Sequence, residues 1–491
     1  MALLIAVCLF LNACGESPGD KESRSNHTDN NNKTEGTVQA PDLSEQRLGL
    51  QNIPPSQQRP GNAEAGWQAL TTEPIVSCGL PLDAFKQLQT DTSFTLDHRQ
   101  GKARSLPYNV NLITNNEGVE LAASNCLTCH AAPLFGELVI GLGNEFLDFT
   151  ANASVGVEQA GALVSGNKAI AAWEKFADRV AAIAPYMQTE TAGVNPANNL
   201  TFALMSHRDP TTMAWSPTPV LPTPTVKVPP VSVPPWWRMS KKHAMFWMGE
   251  GRGDHASVMM TAAILCTDSL AELEALDAIA ADVRAFIASV KPPTYPFDVN
   301  AALAEQGQAV FNRTCSGCHG HYGDNPDYPN MLVGIDVVGT DSALIDYAFA
   351  EGQVFVDWFN SSPFGKQAKA QPGRGYVAPP LDGIWSTAPF LHNGSVPTIE
   401  AVLNSASRPE IWQHLYTSSE SKSAYDQRRL GWRYKVLTAS ELLSRPATHT
   451  EPGDQWIYDT RRQGYSSKGH VFGDALSNEE RSAVLEYLKT L

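Results

Sequence analysis

The chain has 491 residues, of which 42% are hydrophobic and 9% aromatic, and its formal net charge is −15 at pH 7. This length and composition are ordinary for two or three folded domains and exclude an intrinsically disordered chain. The acidic balance excludes nucleic acids and anionic membrane surfaces as electrostatic partners and suits a basic protein partner.

Residues 1–14 form a short apolar run that ends in Leu-Asn-Ala-Cys and lacks preceding basic residues. The run is too short to span a bilayer as a mature helix and is typical of a cleaved export signal. Its ending resembles a bacterial lipobox, which predicts that Cys14 is lipidated and anchors the chain to an outer membrane; an ordinary signal peptide is the alternative. We therefore expect an exported lipoprotein on the periplasmic or cell-surface side of a Gram-negative bacterium.

Residues 15–65 are polar, rich in Asn, Ser and Gly, and lack hydrophobic periodicity. This composition predicts a disordered tether. Beyond it, Cys78 and Cys266 belong to no motif. In an oxidising compartment they can form a disulfide, and two buried thiols are the alternative.

The stretch NCLTCH places Cys126, Cys129 and His130 in the spacing C-x-x-C-H, and CSGCH repeats it at Cys315, Cys318 and His319. With 8 Cys and 12 His in the chain, chance alone predicts roughly 0.003 such motifs. A zinc site would need the two C-x-x-C pairs to lie closer together in a short domain, and a structural disulfide would explain neither histidine. The two motifs therefore predict two covalently bound c-type haems.

Between the motifs, residues 209–237 contain nine prolines and end in Pro-Pro-Trp-Trp. This density excludes a helix and predicts an extended strap, which the tryptophans hold against the protein surface. The apolar spacing of residues 276–290 predicts an amphipathic helix, which the prolines that follow must end. The boundary between two domains, 66–293 and 294–491, is drawn at these prolines.

The second half begins with a predicted short helix over residues 300–314, just before its haem motif. It closes with LSNEERSAVLEYLKTL, in which Ser477 and Glu480 form a capping box. Helix, haem motif and terminal helix are the plan of a cytochrome c, and NNEGVELAASNCLTCH repeats it less clearly in the first half. We expect a mainly α protein with two cytochrome c-like haem domains, long irregular Pro-rich connections and little strand.

Beyond the motifs, PPLDGIWSTAPFLHNGSVPTIEAVL at residues 379–403 and the closing segment from Lys468 resemble the di-haem c-type family of bacterial cytochrome c peroxidases, the methylamine-utilisation enzyme and the di-haem rubber oxygenases. The segment VPPWWRMSKKHAMFWMGEGRGDHASVMM is similar to the oxygenase-like branch. The resemblance covers most of residues 115–491 and implies two haem domains that exchange electrons.

Each motif histidine is expected to bind its own haem iron, so His130 and His319 are the proximal ligands. The resemblance implies a distal ligand just before the last helix, where His470 stands, although an exposed loop histidine is the alternative. His392 is the other candidate ligand, and the family's pattern implies that it makes a hydrogen bond near a haem propionate instead. His321 lies too close to His319 to reach the opposite haem face.

No distal ligand for the first haem is evident, and this predicts that the His130 haem is the reactive one. The candidates are His207, His243, His255, Met205 and Met245, each of which is otherwise a packed or surface side chain. Peroxide cleavage also requires an acid and base beside the iron. Glu137, Glu145 and Glu158 follow the motif, but none matches the family's glutamate segment.

Trp236 and Trp237 are the predicted catalytic residues, as an electron path between the haems; lining an oxygenase cavity, or simple core packing, are the alternatives. The function predicted is reduction of hydrogen peroxide at the first haem, with electrons from a small cytochrome or cupredoxin. The alternatives are a di-haem oxygenase that uses dioxygen on a polyisoprenoid-like substrate, and an electron carrier without catalysis. The family's interdomain calcium is a further expected cofactor, although no calcium-loop motif is present.

Overall fold

The computed structural model describes residues 49–89, 94–415, 422–443 and 453–491. The predicted signal, Cys14 and the first part of the predicted tether lie outside the described residues.

Helices account for 42% of the structure. The α-helices are α1 (Ala63–Thr72), α2 (Leu82–Leu88), α3 (Leu127–His130), α4 (Ala153–Gly161), α5 (Asn167–Ile183), α6 (Ala197–Ser206), α7 (His255–Met260), α8 (Leu270–Ser289), α9 (Ala301–Thr314), α10 (Ser316–His319), α11 (Ile335–Val338), α12 (Ala343–Ala350), α13 (Gln353–Ser361), α14 (Ile399–Leu403), α15 (Ala439–Leu443) and α16 (Asn478–Leu488).

Strands account for 15%, so the fold is mixed and the expectation of little strand is corrected. The strands are β1 (Leu50–Asn52), β2 (Leu80–Pro81), β3 (Val110–Thr114), β4 (Glu120–Ser124), β5 (Ala131–Leu134), β6 (Glu137–Ile140), β7 (Gly251–Gly253), β8 (Met331–Gly334), β9 (Ala368–Ala370), β10 (Gly375–Val377), β11 (Ile411–His414), β12 (Tyr425–Asp426), β13 (Gly431–Trp432), β14 (Tyr434–Val436) and β15 (Ile457–Asp459). They pair in small antiparallel sheets of order β1-β8-β10, β14-β11-β15, β2-β4-β3, β12-β13, β5-β6 and β7-β9. These short ladders satisfy backbone groups of the long connections, which would otherwise be buried without partners.

The predicted tether extended to residue 65, but its described end is structured. Leu50 to Asn52 pair with β8 in the second half of the chain. Arg59 forms ion pairs with Asp254 at 2.6 Å and with Asp277 at 2.7 Å. These contacts fix the segment on the protein, which its polar composition did not reveal.

The two halves differ just before their haem motifs. In the second half α9 leads into Cys315, as predicted. In the first half the hairpin β3–β4 takes that place, since Ile113 pairs with Leu121 across a turn held by the Asn115 side chain. The expected repeat of the cytochrome c plan in the first half is therefore not found there.

The long helix α8 and the terminal helix α16 confirm two predictions. Ser269 caps α8, which begins earlier than predicted and buries Val283 and Ile287. In α16, Ser477 and Glu480 form the capping box. Helices α9 and α16 cross at Gly307, where a Cβ atom would lie 1.9 Å from the carbonyl oxygen of Ala483. Only glycine permits this close packing beside the second haem motif.

Two large hydrophobic clusters each contain residues from both sides of residue 293. The first combines α1 and α4–α8 with Phe355 and Trp358 of α13. The second combines α9 and α16 with Leu134 and Trp237 from the first half. The haem motifs thus lie in two cores that the halves build jointly.

The Pro-rich strap packs against the protein as predicted. Its first tryptophan, Trp215, lies against the guanidinium groups of Arg179 and Arg208, and Trp236 and Trp237 are buried in a 3-10 turn at residues 236–241. Cation–π contacts of this kind stabilise an otherwise irregular segment.

Cys78 and Cys266 form a disulfide that closes 188 residues of chain. A crosslink over so long a loop stabilises a fold by about 2–5 kcal/mol. Among the described residues, none of the four motif cysteines takes part in a disulfide. No helix in the described part of the chain combines the length and apolarity needed to cross a membrane.

Candidate haem sites

The first motif forms a single helical turn, α3, held by buried amides. Asn125 accepts a hydrogen bond from the Leu127 N–H and donates to Asn111 Oδ1. Asn195 donates to the sulfur of Cys129 at 3.6 Å. The two thiols and His130 therefore sit on a fixed turn, as covalent haem attachment requires.

The His130 ring is enclosed by the end of the strap. Trp236 stacks on it with ring centroids 4.9 Å apart. Burial lowers the pKa of His130 to about 4, with a partial opposing effect from the Pro234 carbonyl. The imidazole is neutral at physiological pH, which is the form that binds a metal.

A cavity of about 450 Å³ opens beside His130 and includes Cys126 and Cys129 in its wall. The lining is mainly aliphatic and aromatic, with six methionines: Met205, Met239, Met245, Met248, Met259 and Met260. A haem needs such a wall for its flat apolar ring and polar partners for its two carboxylates. The described residues of this cavity fit a haem bound through His130.

The predicted distal candidates separate into two groups. Met205 and Met245 line the cavity, whereas His207, His243 and His255 do not. His207 stacks on Trp215, and the Nδ1 atom of His243 is 2.7 Å from the Ile53 carbonyl. His130 is thus the only histidine among the described residues of this wall, and an imidazole does not face it across the cavity.

The polar part of the wall contains residues that the sequence reasoning missed. Arg238, Lys242, Lys369 and Glu250 are its charged side chains, and Asn198 lies among them. Glu250 accepts a hydrogen bond from the Met248 N–H at 3.1 Å. Burial raises its pKa to about 7, while Lys242 and Asn198 lower it in part.

Of the glutamates considered from sequence, Glu137 and Glu158 are exposed. Glu145 is half-buried, and desolvation of its carboxyl group raises its pKa well above the usual value, while the Trp432 side chain lowers it in part. None of the three lines the large cavity. The titratable carboxylate of the cavity is Glu250, 120 residues after His130 in the chain.

The second motif follows α9 directly and forms α10. The Nδ1 atom of His319 lies 2.8 Å from the Pro379 carbonyl. This bond directs the other ring nitrogen away from the carbonyl, the usual arrangement for a metal-binding imidazole. His130 lacks an equivalent bond, since its Nδ1 atom is buried without a hydrogen-bond partner among the described residues.

His470 faces His319, with ring centroids 6.2 Å apart. Two imidazoles that bind one metal from opposite sides through bonds of about 2 Å have centroids about 6 Å apart. Burial lowers the pKa of His470 to about 3 and also lowers the pKa of His319. Both rings are neutral, and their spacing fits a haem iron between them.

The loop that carries His470 is held by a single arginine. Arg408 donates to the carbonyls of Ser467 and Gly469 at 2.6 Å and to that of His470 at 3.1 Å. His470 adopts a positive φ of 47°. These hydrogen bonds fix the conformation of the loop, so that the His470 side chain points toward His319 rather than into solvent.

The remaining predicted residues lie near the junction of the two sites. His392 is buried and stacks on Tyr376 with centroids 4.0 Å apart. Burial lowers its pKa to about 3. Trp237 donates to the Asp382 carbonyl at 2.7 Å, and its neighbour Trp236 contacts His130. His321 is exposed and pairs with Asp327.

Replacing His470 with alanine is expected to convert one low-spin iron to a high-spin iron, because the iron loses its sixth ligand. Paramagnetic resonance of the resting protein measures the change. His321→Ala is the matched control, since it removes a histidine two residues from His319 that points to solvent. An unchanged low-spin signal in His470→Ala would contradict the assignment.

The second half combines a motif helix, a terminal helix and a buried histidine pair. Residues 375–413, which include Pro379 and His392, match the family model described as RoxA-like, cytochrome c-like. This segment is therefore similar to the cytochrome c-like part of that family.

Two curated proteins of Sinorhizobium fredii are similar to this chain. The uncharacterized protein y4iM is 31% identical over 246 residues, which cover 42% of this chain and 53% of y4iM. The uncharacterized protein y4iJ is 28% identical over 270 residues, which cover 41% of each chain. The chain thus spans about half the length of the curated relatives that it matches.

Proposed function

We propose that the protein is a di-haem c-type oxidoreductase that reduces hydrogen peroxide at the His130 site with electrons relayed from the His319 site. The observation that carries this proposal is the asymmetry of the two sites. His319 has a second imidazole 6.2 Å away, whereas the cavity at His130 has Glu250 and Lys242 in its wall but no second histidine among its described residues. A six-coordinate iron passes electrons, and an iron with an accessible position binds small oxygen species.

Haem would supply the iron chemistry, and the chain supplies the rest. Cys126, Cys129 and His130 would hold the reactive group, and Cys315, Cys318, His319 and His470 the relay. Hydrogen peroxide takes up two electrons and two protons to give two water molecules. Glu250 can accept the proton of the incoming peroxide and return it to the departing oxygen, since a carboxyl group with a pKa near neutral serves both directions.

Trp236 and Trp237 lie between His130 and the segment whose Pro379 carbonyl holds His319. Trp236 stacks on His130, and Trp237 binds the Asp382 carbonyl, three residues after Pro379, whose carbonyl holds His319. This continuous packing supports their proposed role as an electron path, since aromatic side chains shorten the gap that electrons must cross.

Titration with cyanide, azide and carbon monoxide tests the asymmetry. We expect the absorption spectrum of one haem to change and that of the other to stay constant. Peroxide consumption with a reduced small cytochrome or cupredoxin as electron donor tests the reaction. If neither haem binds an added ligand and peroxide is not consumed, the chain is an electron carrier and the proposal is wrong.

A second candidate function is oxygenation of an apolar, polyisoprenoid-like substrate by dioxygen. Two observations favour it, namely the RoxA-like match and the methionine-rich cavity wall, because flexible thioethers adapt to irregular apolar ligands. An apolar wall is also what the haem itself requires, so this feature discriminates weakly. Oxygen uptake on addition of a polyisoprenoid, without added reductant, would favour the oxygenase.

We also propose a calcium ion at the junction of the two halves. A second small cavity, of about 10 Å³, is lined by Glu145, Ser232, Thr387 and neighbouring backbone groups. The Oε2 atom of Glu145 is buried without a partner, and Ca²⁺ prefers such carboxylate and carbonyl oxygens. Glu145→Gln is expected to lower the calcium content measured by elemental analysis after exchange into calcium-free buffer. Equal calcium in wild type and variant would contradict this site.

An oxidising, extracytoplasmic location is part of the proposal. The Cys78–Cys266 disulfide supports it, because such bonds persist outside the cytosol, where c-type haem is also attached. The proposed lipid anchor at Cys14 lies outside the described residues. Mass spectrometry of the mature N-terminus tests both export and anchoring.

A further inference from the structure

Arg238 is a buried cation that makes no direct ion pair among the described residues. Its side chain belongs to a residue that is 4% exposed. The guanidinium donates to the Asp382 carbonyl and to Thr387 Oγ1, both at 3.3 Å. The nearby Asp382 carboxylate is bound by Lys241 at 2.7 and 2.8 Å, and among the described residues a carboxylate within 4.0 Å of Arg238 is absent.

A buried charge without a partner costs several kcal/mol, so proteins rarely retain one unless a ligand supplies the opposite charge. A guanidinium also has five N–H donors, and only two interactions with neutral groups are made here. Burial already lowers the pKa of Arg238 to about 10. The unused donors belong to a residue that lines the large cavity.

The charges of the cavity wall point to the same ligand. Arg238, Lys242 and Lys369 face a single carboxylate, Glu250, among the lining residues, although the whole chain carries a net charge of −15. A positive wall inside an acidic protein favours an anion by focusing the local potential. The size and apolarity of the remaining wall require that this anion be part of a large apolar molecule.

Arg238 also stands between the two haem motifs. It lies two residues after Trp236, which stacks on His130. Its guanidinium also donates to the Asp382 carbonyl and to Thr387 Oγ1, in the segment that follows Pro379. Pro379, whose carbonyl holds His319, is itself part of the wall of the His130 cavity. Ligands bound at the two motifs would therefore both come near this guanidinium.

We propose that Arg238 binds the carboxylate side chains of the bound haems and is the charge that the two redox centres share. This inference rests on the proposed presence of two haems. A positive charge close to a redox centre stabilises its reduced form, which is the more negative one. Arg238 thus raises the reduction potentials of both centres and is a positioning residue for the haem carboxylates.

Spectroelectrochemistry of the full holoprotein tests the proposal. In Arg238→Gln, the equilibrium constant for reduction of each haem is expected to fall about tenfold, which is about 59 mV for a one-electron couple. The covalent haem content should remain unchanged, because the thioether bonds do not depend on Arg238. The absorption bands of the two haems report their potentials separately.

The control is Arg313→Gln, which removes an exposed arginine two residues before Cys315. Arg313 is paired with Glu480 at the surface, so solvent screening should limit its effect on either potential to less than twofold. A comparable fall in the haem reduction potentials of Arg313→Gln would overturn the proposal. The effect would then arise from the loss of any positive charge and not from Arg238 in particular.

The named outcomes are decisive. A fall in both potentials supports the proposal that Arg238 binds carboxylates of both haems. A fall in one potential alone shows that Arg238 serves a single haem and overturns the shared role, and constant potentials overturn the proposal entirely.

If Arg238→Gln does not accumulate, Arg238→Lys is used. A buried lysine loses its charge at alkaline pH, so both potentials should fall together there, and pH-independent potentials would contradict the proposal. Absence of peroxide turnover in the wild-type protein, together with the predicted fall in both potentials in Arg238→Gln, would instead discredit the proposed function alone.

Discussion

A variant with Cys126→Ser and Cys129→Ser is expected to lose one covalent haem, and a variant with Cys315→Ser and Cys318→Ser to lose the other. The physical reason is that each thioether bond needs one thiol of its own motif, and none of the four motif cysteines is used in a disulfide within the described part of the chain. The intact mass of the denatured protein should fall by one haem in each variant and by two in the combined variant. A denaturing gel stained for haem provides the second readout.

The first of these variants is expected to have the larger effect on folding. The cavity at His130 measures about 450 Å³ and its wall is mainly apolar. Such a wall loses packing and meets water when the group that fills it is missing. The Cys126→Ser, Cys129→Ser protein should therefore accumulate poorly or unfold far below the wild-type temperature.

The two variants should also differ in their spectra. Loss of the Cys315 motif leaves the haem proposed to be open, so the remaining iron should bind cyanide. Loss of the Cys126 motif leaves the iron proposed to lie between His319 and His470, which should not. A wild-type protein whose mass contains no haem, or only one, would contradict the central interpretation. The Cys78→Ser, Cys266→Ser variant is the control, since it removes two cysteines but no motif.

The haem motifs, their proximal histidines and the terminal helix could be predicted from sequence because each is a local pattern. Ser477 and Glu480 are three residues apart, and their capping box forms within a single turn. His470 could be placed only through its position before that helix. Its approach to His319 depends on Arg408, 62 residues earlier in the chain, and no local pattern encodes that contact.

The short sheets could not be predicted, for the opposite reason. Leu50 to Asn52 pair with residues about 280 positions away, and three residues are too few to show a period. The hairpin before the first motif was missed because the Val119 to Ala123 segment is apolar without clear alternation, and the second motif suggested a helix. Tertiary pairing, not local propensity, decided these elements.

Glu250 and Arg238 were missed for a related reason. Both lie in a stretch from which only tryptophans, histidines and a methionine were considered as candidates, and their neighbours in space come from other segments. Charged residues inside such an apolar stretch were the available signal, because a charge is rarely buried without a function or a partner. The disulfide between Cys78 and Cys266 had been one of two open alternatives, and the structure contains it.

Replacing Glu250 with glutamine is expected to lower peroxide turnover by about 100- to 10,000-fold, the usual contribution of general acid–base catalysis. Glutamine keeps the size and the hydrogen-bond acceptor of the side chain but cannot exchange a proton. The stopped-flow rate of peroxide consumption measures the effect. Glu137→Gln is the matched control, because it removes an exposed carboxylate closer in sequence to the haem motif.

The pH dependence separates catalysis from structure. Burial raises the pKa of Glu250 to about 7, and the carboxylate must be deprotonated to accept the proton of peroxide. The rate should therefore rise with pH through about 7 in the wild type and lose this transition in Glu250→Gln. Binding of cyanide, which enters as hydrogen cyanide and must also give up a proton, should show the same transition without any turnover.

Lys242 provides the sharpest check on this assignment, because it lowers the pKa of Glu250 without contacting the carboxylate within 4.0 Å. Arg252 and the Tyr376 ring also face this carboxylate and remain in place. In Lys242→Met, the loss of the cation should raise the pKa of Glu250, so the pH transition in cyanide binding should move to higher pH. A transition that stays at the same pH, or that persists in Glu250→Gln, would assign the proton to another group. If the pH transition in cyanide binding shifts in Lys242→Met while the haem spectra stay normal, Glu250 acts in proton transfer. A residue that only packs would not make this transition depend on Lys242.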